Sequence, residues 1–477
     1  MLLRRSFDDD GCAGAARTPT RIRTRDRLRE TRTGVYLLVV LTAGAYLPSP
    51  LYPVYQGAFG FSDLTMTLVY AMFALVSGPA LLLFGSASDT LGLRALLRTS
   101  VVVAAVASLC FVVADGPVLL LIGRAAQGLA LGAATGAATA LITQNSPADN
   151  RARASVLASM AFVAGTAAGP VTAGVLAQYG PAAHMLPYLV HLLVLALAWH
   201  RLSDLPSGRP RSTVWRPTRP RIPAGMRRVF ATSAATGFLA WTAAGLFLSI
   251  IPAILGRAAQ TSNLAITGGV VSAVLICSLL FQPFVAGWGP RRAQFAGLGA
   301  LLVSLVALTL TGGGSVPVTL IASVTAGIGH GLAYGGATAT VDAALPDGRR
   351  GSITSALYLA FYLGAGVPAV AIGLLSLWLP LTTATSWLSA VAAVLVPVTG
   401  VALMITNRSR PFRVKDADAP DHQQGRQRWR TRRLRARARA SERRRPTTSP
   451  APKGPNSSRH VRQGARRSRG ARRRGRV

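Results

Sequence analysis

Between Tyr36 and Leu403 the chain is one nearly unbroken series of apolar blocks, and this feature limits the possible folds more than any other. A bilayer core of roughly 30 Å takes about 20 apolar residues per helix, so the segment holds about twelve crossings with short connections. Lipid offers backbone N–H and C=O groups no partner, which restricts spanning structure to helices and closed barrels. The blocks are dense in Ala, Gly, Leu and Val and do not alternate, which fits close-packed helices and not barrel strands. The expected fold class is therefore an all-α membrane protein of about twelve transmembrane helices.

Charge orients the crossings. The sequence has 477 residues and a formal net charge of +36. A balance this basic ordinarily points to nucleic acid. Here the excess sits in the N-terminal segment, a middle linker and a C-terminal tail that interleaves almost no aromatics with its arginines, so no specific nucleic acid is expected. Short loops alternate. Arg94 and Arg98 follow span 2, Arg151 and Arg153 follow span 4, Arg291 and Arg292 follow span 8, and Arg349 and Arg350 follow span 10. The loops between these carry no Arg or Lys, with Arg257 after span 7 as the single exception. Basic loops stay inside, which predicts that both termini and the linker are cytoplasmic.

The organisation that follows is a basic cytoplasmic N-terminal segment (1–33), a six-helix bundle (34–200), a cytoplasmic linker (201–228), a second six-helix bundle (229–405) and an Arg-rich tail (406–477). The tail cannot bury enough apolar surface to fold alone and is read as disordered, with anionic lipid as its expected contact. The first apolar block runs into a Pro-rich turn without a small-residue cleavage site, so it is read as a signal anchor. Cys12, Cys110 and Cys277 show no pairing or metal spacing, so neither a disulfide framework nor a metal is expected.

The two halves repeat. Gln127-Gly128-Leu129-Ala130-Leu131-Gly132-Ala133-Ala134-Thr135 aligns with His330-Gly331-Leu332-Ala333-Tyr334-Gly335-Gly336-Ala337-Thr338, each in the fourth span of its half. A short Asp/Arg loop and a Gly/Pro-bearing fifth span follow in both. The shared order of motif, loop and motif indicates duplication into two pseudo-symmetric six-helix bundles.

Three stretches stand out within this frame. Gly85 to Arg94, between spans 2 and 3, places Gly85, Asp89, Gly92 and Arg94 in a tight turn. Its glycines permit close approach of helix ends, and its carboxylate is suited to a helix N-terminus or a nearby Arg. The plain alternative is a solvated turn. Arg124-Ala125-Ala126-Gln127-Gly128 puts an arginine about two turns into span 4, where it costs several kcal/mol unless paired or hydrated. The plain alternative is snorkelling to the membrane surface. In span 5, Gly165, Gly169 and Gly174 make a flat contact face and Pro170 can bend the helix. The plain alternative is packing alone.

In this order and in these spans, the three stretches resemble the signatures of the major facilitator superfamily, and the third resembles that of its drug/proton antiporter-like branch. The likeness covers roughly 34–405. Thr90 and Leu93 stand where the family usually has basic residues, and Ala173 stands where it usually has a glycine. The loop Gly287 to Arg292 is a degenerate second copy without its acid. The resemblance implies two bundles around a central site that opens alternately to each side. It also implies a gating role for Gly85, Asp89, Gly92 and Arg94, a coupling or substrate role for Arg124, Gln127 and Gly128, and a packing or hinge role for Gly165, Gly169, Pro170 and Gly174. Tyr46, Tyr70, Trp241, Gln282, His330, Tyr334, Tyr358 and Tyr362 are polar or aromatic residues in spans that would line the cavity. Of these, His330 and Tyr334 share one face at the repeat position of Gln127 and Leu131, and join the coupling or substrate set.

No Asp or Glu falls within the expected span cores. Coupling then rests on Arg124 and His330, or the protein is a facilitator, or its substrate is neutral or anionic. No nucleotide-binding loop or catalytic constellation occurs, so neither a cofactor nor an enzymatic activity is expected. The leading expectation is a monomeric carrier in the cytoplasmic membrane that exports a drug or metabolite in exchange for protons. An uptake carrier or facilitator is the alternative, and a membrane-embedded enzyme a remote one.

Overall fold

The computed structural model of the chain describes residues 18–84, 91–144, 151–205, 222–258, 263–345 and 350–408. Among the described residues, twelve helices are long and apolar enough to cross a membrane. The first half has span 1 (Thr18–Tyr46), span 2 (Asp63–Phe84), span 3 (Leu93–Val112), span 4 (Pro117–Gln144), span 5 (Arg151–Tyr179) and span 6 (Leu186–Ser203). The second has span 7 (Arg227–Ser249), span 8 (Leu264–Phe281), span 9 (Pro290–Thr311), span 10 (Val316–Ala344), span 11 (Arg350–Leu375) and span 12 (Leu381–Arg408). Even crossing numbers put the entry to span 1, the 6–7 connection and the exit of span 12 on one side. That side is called the linker side below, and the opposite one the far side.

The repeat is visible in the backbone. Span 1 stops at Tyr46, where Pro48 and Pro50 withdraw two helix donors, and a short helix Tyr52–Phe59 follows. Span 7 likewise gives way to a short helix, Ile251–Ala258, with Pro252 in its first turn. The two short helices touch on the far side. Gly92 before span 3 and Gly289 before span 9 hold nearly the same dihedrals, φ 82° and 84° with ψ 143° and 146°. Side chains avoid this region, which accounts for glycine at both positions.

Some boundaries differ from expectation. The N-terminal segment assigned to 1–33 is helical from Thr18, because its arginines favour helix and no Gly or Pro interrupts Arg21 to Thr33. Span 10, expected to end near 340, continues to Ala344 and so carries Asp342 in its last turn. The last helix runs to Arg408, two residues beyond the expected start of the tail region. The remainder of the tail lies outside the described residues.

Lipid-embedded helices gain little from apolar burial against one another, so small residues decide which faces meet. Span 7 is 94% buried over its most apolar window and span 12 only 33%. Spans 6, 9 and 12 turn Leu193, Leu310 and Val394 outward. The two halves join along spans 2 and 11 and along spans 5 and 8. On the first seam Gly373 lies against Thr67 near the far side, and Gly78 lies under Leu359 towards the linker side. On the second, a Cβ at Gly174 would stand 2.5 Å from the Leu264 carbonyl, and Gly268 faces the Pro170 carbonyl. Gln178 accepts from the Leu264 amide at 2.8 Å near the far end. Gln282 donates to Ser159 at 2.6 Å towards the linker end. Both seams are therefore closed over most of their length.

Candidate functional site

The middle of the molecule is an aromatic cluster that crosses the seam. Span 7 contributes Trp241, span 10 His330 and Tyr334, and span 11 Tyr358, Phe361 and Tyr362. The first half contributes Phe73 from span 2 and Phe162 from span 5. Trp241 stands edge-on to His330 with centroids 4.8 Å apart and to Tyr334 at 5.9 Å. His330 stacks on Tyr334 at 5.3 Å. The Tyr334 and Tyr358 hydroxyls are 3.1 Å apart. Phe162 meets Trp241 at 6.2 Å and Phe73 meets Tyr362 at 5.9 Å, so rings from both halves interlock. Most of the aromatic residues expected to face a central site are thus gathered in one place. Phe73 and Phe162 were not singled out by sequence. Each lies close to a residue that was: Phe73 is one turn from Tyr70, and Phe162 lies just before Gly165.

His330 is fully buried. Its Nδ1 is 2.8 Å from Ser278 Oγ, while its Nε2 has no hydrogen-bond partner. Trp241 Nε1 is buried and unpartnered as well. A second intramembrane histidine offers the contrast. His191 in span 6 holds Ser108 Oγ at 2.8 Å through Nδ1 and the Val40 carbonyl at 3.2 Å through Nε2. Its ring also fills the space above Gly44. His191 is a satisfied packing residue, and His330 keeps one nitrogen free within the cluster.

Arg124 is buried to 1% exposure, so it does not snorkel. Its guanidinium donates to the Ala45 carbonyl at 2.5 Å, to Gln127 Oε1 at 2.8 Å, to Tyr70 O at 3.2 Å and to Val69 O at 3.3 Å. It also lies 4.7 Å over the Phe73 ring. The local chain explains the arrangement. Pro48 has no N–H for the Gly44 carbonyl four residues before it, and Gln127 Nε2 donates to that carbonyl instead, at 2.9 Å. Arg124 and Gln127 together cap the broken end of span 1 and tie it to spans 2 and 4. The charge itself meets carbonyl dipoles and ring faces rather than a carboxylate.

Gly128 packs on span 2, where a Cβ would stand 2.6 Å from the Phe73 carbonyl, and its repeat partner Gly331 packs on the Ser278 carbonyl of span 8. In span 5, Gly165 and Gly169 press on span 1 within the half, against Thr42 and the Ala43 carbonyl. Gly174 presses on the other half. Pro170 lies inside the helix and offers its carbonyl to Gly268. The glycine series thus serves two interfaces. In the turn after span 2, Gly92 takes its positive φ and Arg94 donates to the Ser203 carbonyl at 2.7 Å, anchoring the turn to span 6. Gly85 and Asp89 lie outside the described residues.

The far side holds a contact that the sequence disguised. Arg257, the exception in the charge alternation, donates to both Asp63 carboxylate oxygens, at 2.6 Å and 3.1 Å. Gln56 donates to the same carboxylate at 2.7 Å. Asp63 and Gln56 belong to the first half and Arg257 to the second, so the pair bridges the far-side ends of the bundles.

Two six-helix bundles joined along two seams, with a polar aromatic centre between them, define the class of polytopic carrier folds. Residues 35–369 match the Major Facilitator Superfamily, and the chain belongs to that family. Among solved structures it is similar to a bacterial homologue of the human lysosomal transporter Spinster, in an inward-facing and unoccupied conformation. That likeness has 15% identity, covers 80% of this chain and 97% of that one, and has a TM-score of 0.60. It is also similar to a POT family transporter in complex with a thioalcohol-conjugated peptide, at 13% identity, 80% and 97% coverage and a TM-score of 0.64. A POT family transporter in complex with 5-aminolevulinic acid matches at 14% identity, 79% and 96% coverage and a TM-score of 0.64. At such identities the likeness establishes the fold and not the cargo. No protein of curated function matches the chain by sequence.

Proposed function

We propose that the protein is a secondary transporter of the cytoplasmic membrane that exports a small drug-like or metabolic solute in exchange for protons by alternating access. The solute sits between the halves against Trp241, His330, Tyr334 and Tyr358, and His330 carries the proton. The observation that carries this reading is the free Nε2 of a fully buried histidine within the cluster where the halves meet. A buried polar atom without a partner costs about 1–3 kcal/mol, and a ligand or a proton in another state of the cycle would offset it. Histidine is the side chain that exchanges a proton near neutral pH. Rocking of the halves would change the hydration of His330, and that change would couple proton loading to the direction the site faces.

Flux in proteoliposomes, with and without a pH gradient, tests the reading. His330→Gln is expected to retain solute exchange and to lose gradient-driven accumulation. Wild-type accumulation by that variant removes His330 as the coupling site. Uptake or facilitated diffusion of a neutral or anionic solute is the second reading. It is favoured by the lack of carboxylates in the apolar cores of the spans among the described residues, Glu30 and Asp342 lying towards their linker-side ends, and it expects no response to the gradient in the wild-type protein. Reporter fusions after Pro117 and after Asp204 test the orientation, with outside and inside expected respectively.

A further inference from the structure

On the linker side, spans 1 and 6 border a half-open hollow of about 360 Å³ lined by Leu28, Arg29, Arg32, Thr33, Arg201 and Asp204. It lies outside the central site and away from the seams. Its charges are arranged rather than scattered. Arg29 is held by Asp204 at 2.5 Å. The Arg201 guanidinium lies over the Tyr36 ring at 4.3 Å, and Tyr36 is itself fixed by its hydroxyl's hydrogen bond to the Val194 carbonyl at 2.9 Å. Asp204 neutralises one of the three guanidiniums. Arg32 and Arg201 remain, neither with an anionic partner among the described residues, and they face a volume in the range of small-ligand clefts.

Span 6 supplies the rest of the site. Leu189, Leu193 and Leu197 are exposed and fall four residues apart, so they form one stripe along the helix face. Arg201 is the next position on that stripe. An apolar stripe that ends in a preorganised arginine matches an amphiphile with its acyl chain on the leucines and its anionic group at the guanidiniums. A free phosphate would make no use of the leucines. Trp199, exposed beside the stripe with Arg98 stacked 4.9 Å over it, has the composition of a membrane–water boundary.

We propose that this hollow binds the phosphodiester headgroup of an anionic phospholipid, with Arg32 and Arg201 as its ligands and the Leu189–Leu193–Leu197 stripe as the seat of its acyl chain. Arginine suits the role because its planar fork takes two phosphate oxygens at once. The site is independent of which solute the carrier moves.

Native mass spectrometry of the full-length protein in detergent, offered phosphatidylglycerol or phosphatidylcholine, tests the assignment. Selective retention of phosphatidylglycerol is expected. R32Q/R201Q should weaken that retention about tenfold or more, since both guanidiniums assigned to the phosphate are lost. The control R291Q/R292Q, at the same membrane side on the other half, should leave it unchanged. If R32Q/R201Q does not fold, R201K replaces it. That variant keeps the charge but loses the guanidinium's planar fork, so a severalfold weakening is expected at unchanged phosphatidylcholine retention. Equal loss in the control pair, or unchanged retention in the site variants, overturns the proposal. Displacement of phosphatidylglycerol by inorganic phosphate at comparable concentration also overturns it and makes the occupant a free anion.

Discussion

Removing the Arg257 guanidinium by Arg257→Gln should favour opening of the far side. The bridge to Asp63 is bidentate, at 2.6 Å and 3.1 Å, which places it at the stronger end of such pairs. Its exposure argues the other way. The Arg257 side chain is 54% exposed and that of Asp63 21%, so water and salt screen much of the attraction. Exposed pairs contribute about 0.2–1 kcal/mol, and the upper end is appropriate here. A bridge worth about 1 kcal/mol only in the far-side-closed state shifts the open-to-closed ratio about fivefold when it is lost. A suitable reporter is Thr67→Cys, in a background lacking Cys12, Cys110 and Cys277, because Thr67 is buried against Gly373 in the seam just below the pair. Its rate of labelling by a membrane-impermeant maleimide, added from the far side, should rise about fivefold in Arg257→Gln. High ionic strength should raise the wild-type rate in the same direction. The exchanged pair Asp63→Arg with Arg257→Asp should return the rate towards wild type. An unchanged rate in Arg257→Gln, or no recovery in the exchanged pair, refutes the latch.

Other consequences can be measured directly. Gly174→Ala puts a methyl 2.5 Å from the Leu264 carbonyl, so spans 5 and 8 must separate by roughly 1 Å to regain contact distance. Transport should fall more than tenfold with normal insertion, whereas Gly256→Ala, with open space around it, should transport as wild type. Arg124→Gln removes the donor to the Ala45 carbonyl at the end of span 1 and leaves that buried carbonyl unpaired, at about 1–3 kcal/mol. Its melting temperature in detergent should drop by several degrees, and a variant with unaltered stability but abolished transport would assign Arg124 to solute or proton handling alone. His191→Gln should lower stability and spare the response to a pH gradient, the reverse of His330→Gln, and matching effects of the two would remove the distinction drawn from their hydrogen bonds. A chain ending at Pro411 should insert and transport, and a correctly inserted truncation without flux would give the tail an essential role.

Much of this protein is legible without coordinates because the bilayer is a simple solvent. Run length alone decides a crossing, since every peptide group must be bonded within its own helix. The alternation of Arg94, Arg151, Arg291 and Arg349 with loops that, Arg257 apart, carry no Arg or Lys orders the crossings, and the likeness of Gln127-Gly128 to His330-Gly331 exposes the duplication. Periodicity and composition could not decide which partners meet. Arg124 and Gln127 read as a functional pair, yet one donor of each goes to a carbonyl at the broken end of span 1, Ala45 and Gly44, a relation that needs spans 1 and 4 side by side. Gly165 and Gly174 look alike in the chain but press on different halves. His191 and His330 are both intramembrane histidines, and their hydrogen-bond partners tell them apart. Arg257 reads as an imperfection in the charge pattern until Asp63, 194 residues earlier, is found opposite it. The common reason is that a helix satisfies its own backbone locally. The sequence therefore determines that the spans form, while side-chain contacts between spans distant in the chain depend on how the helices assemble.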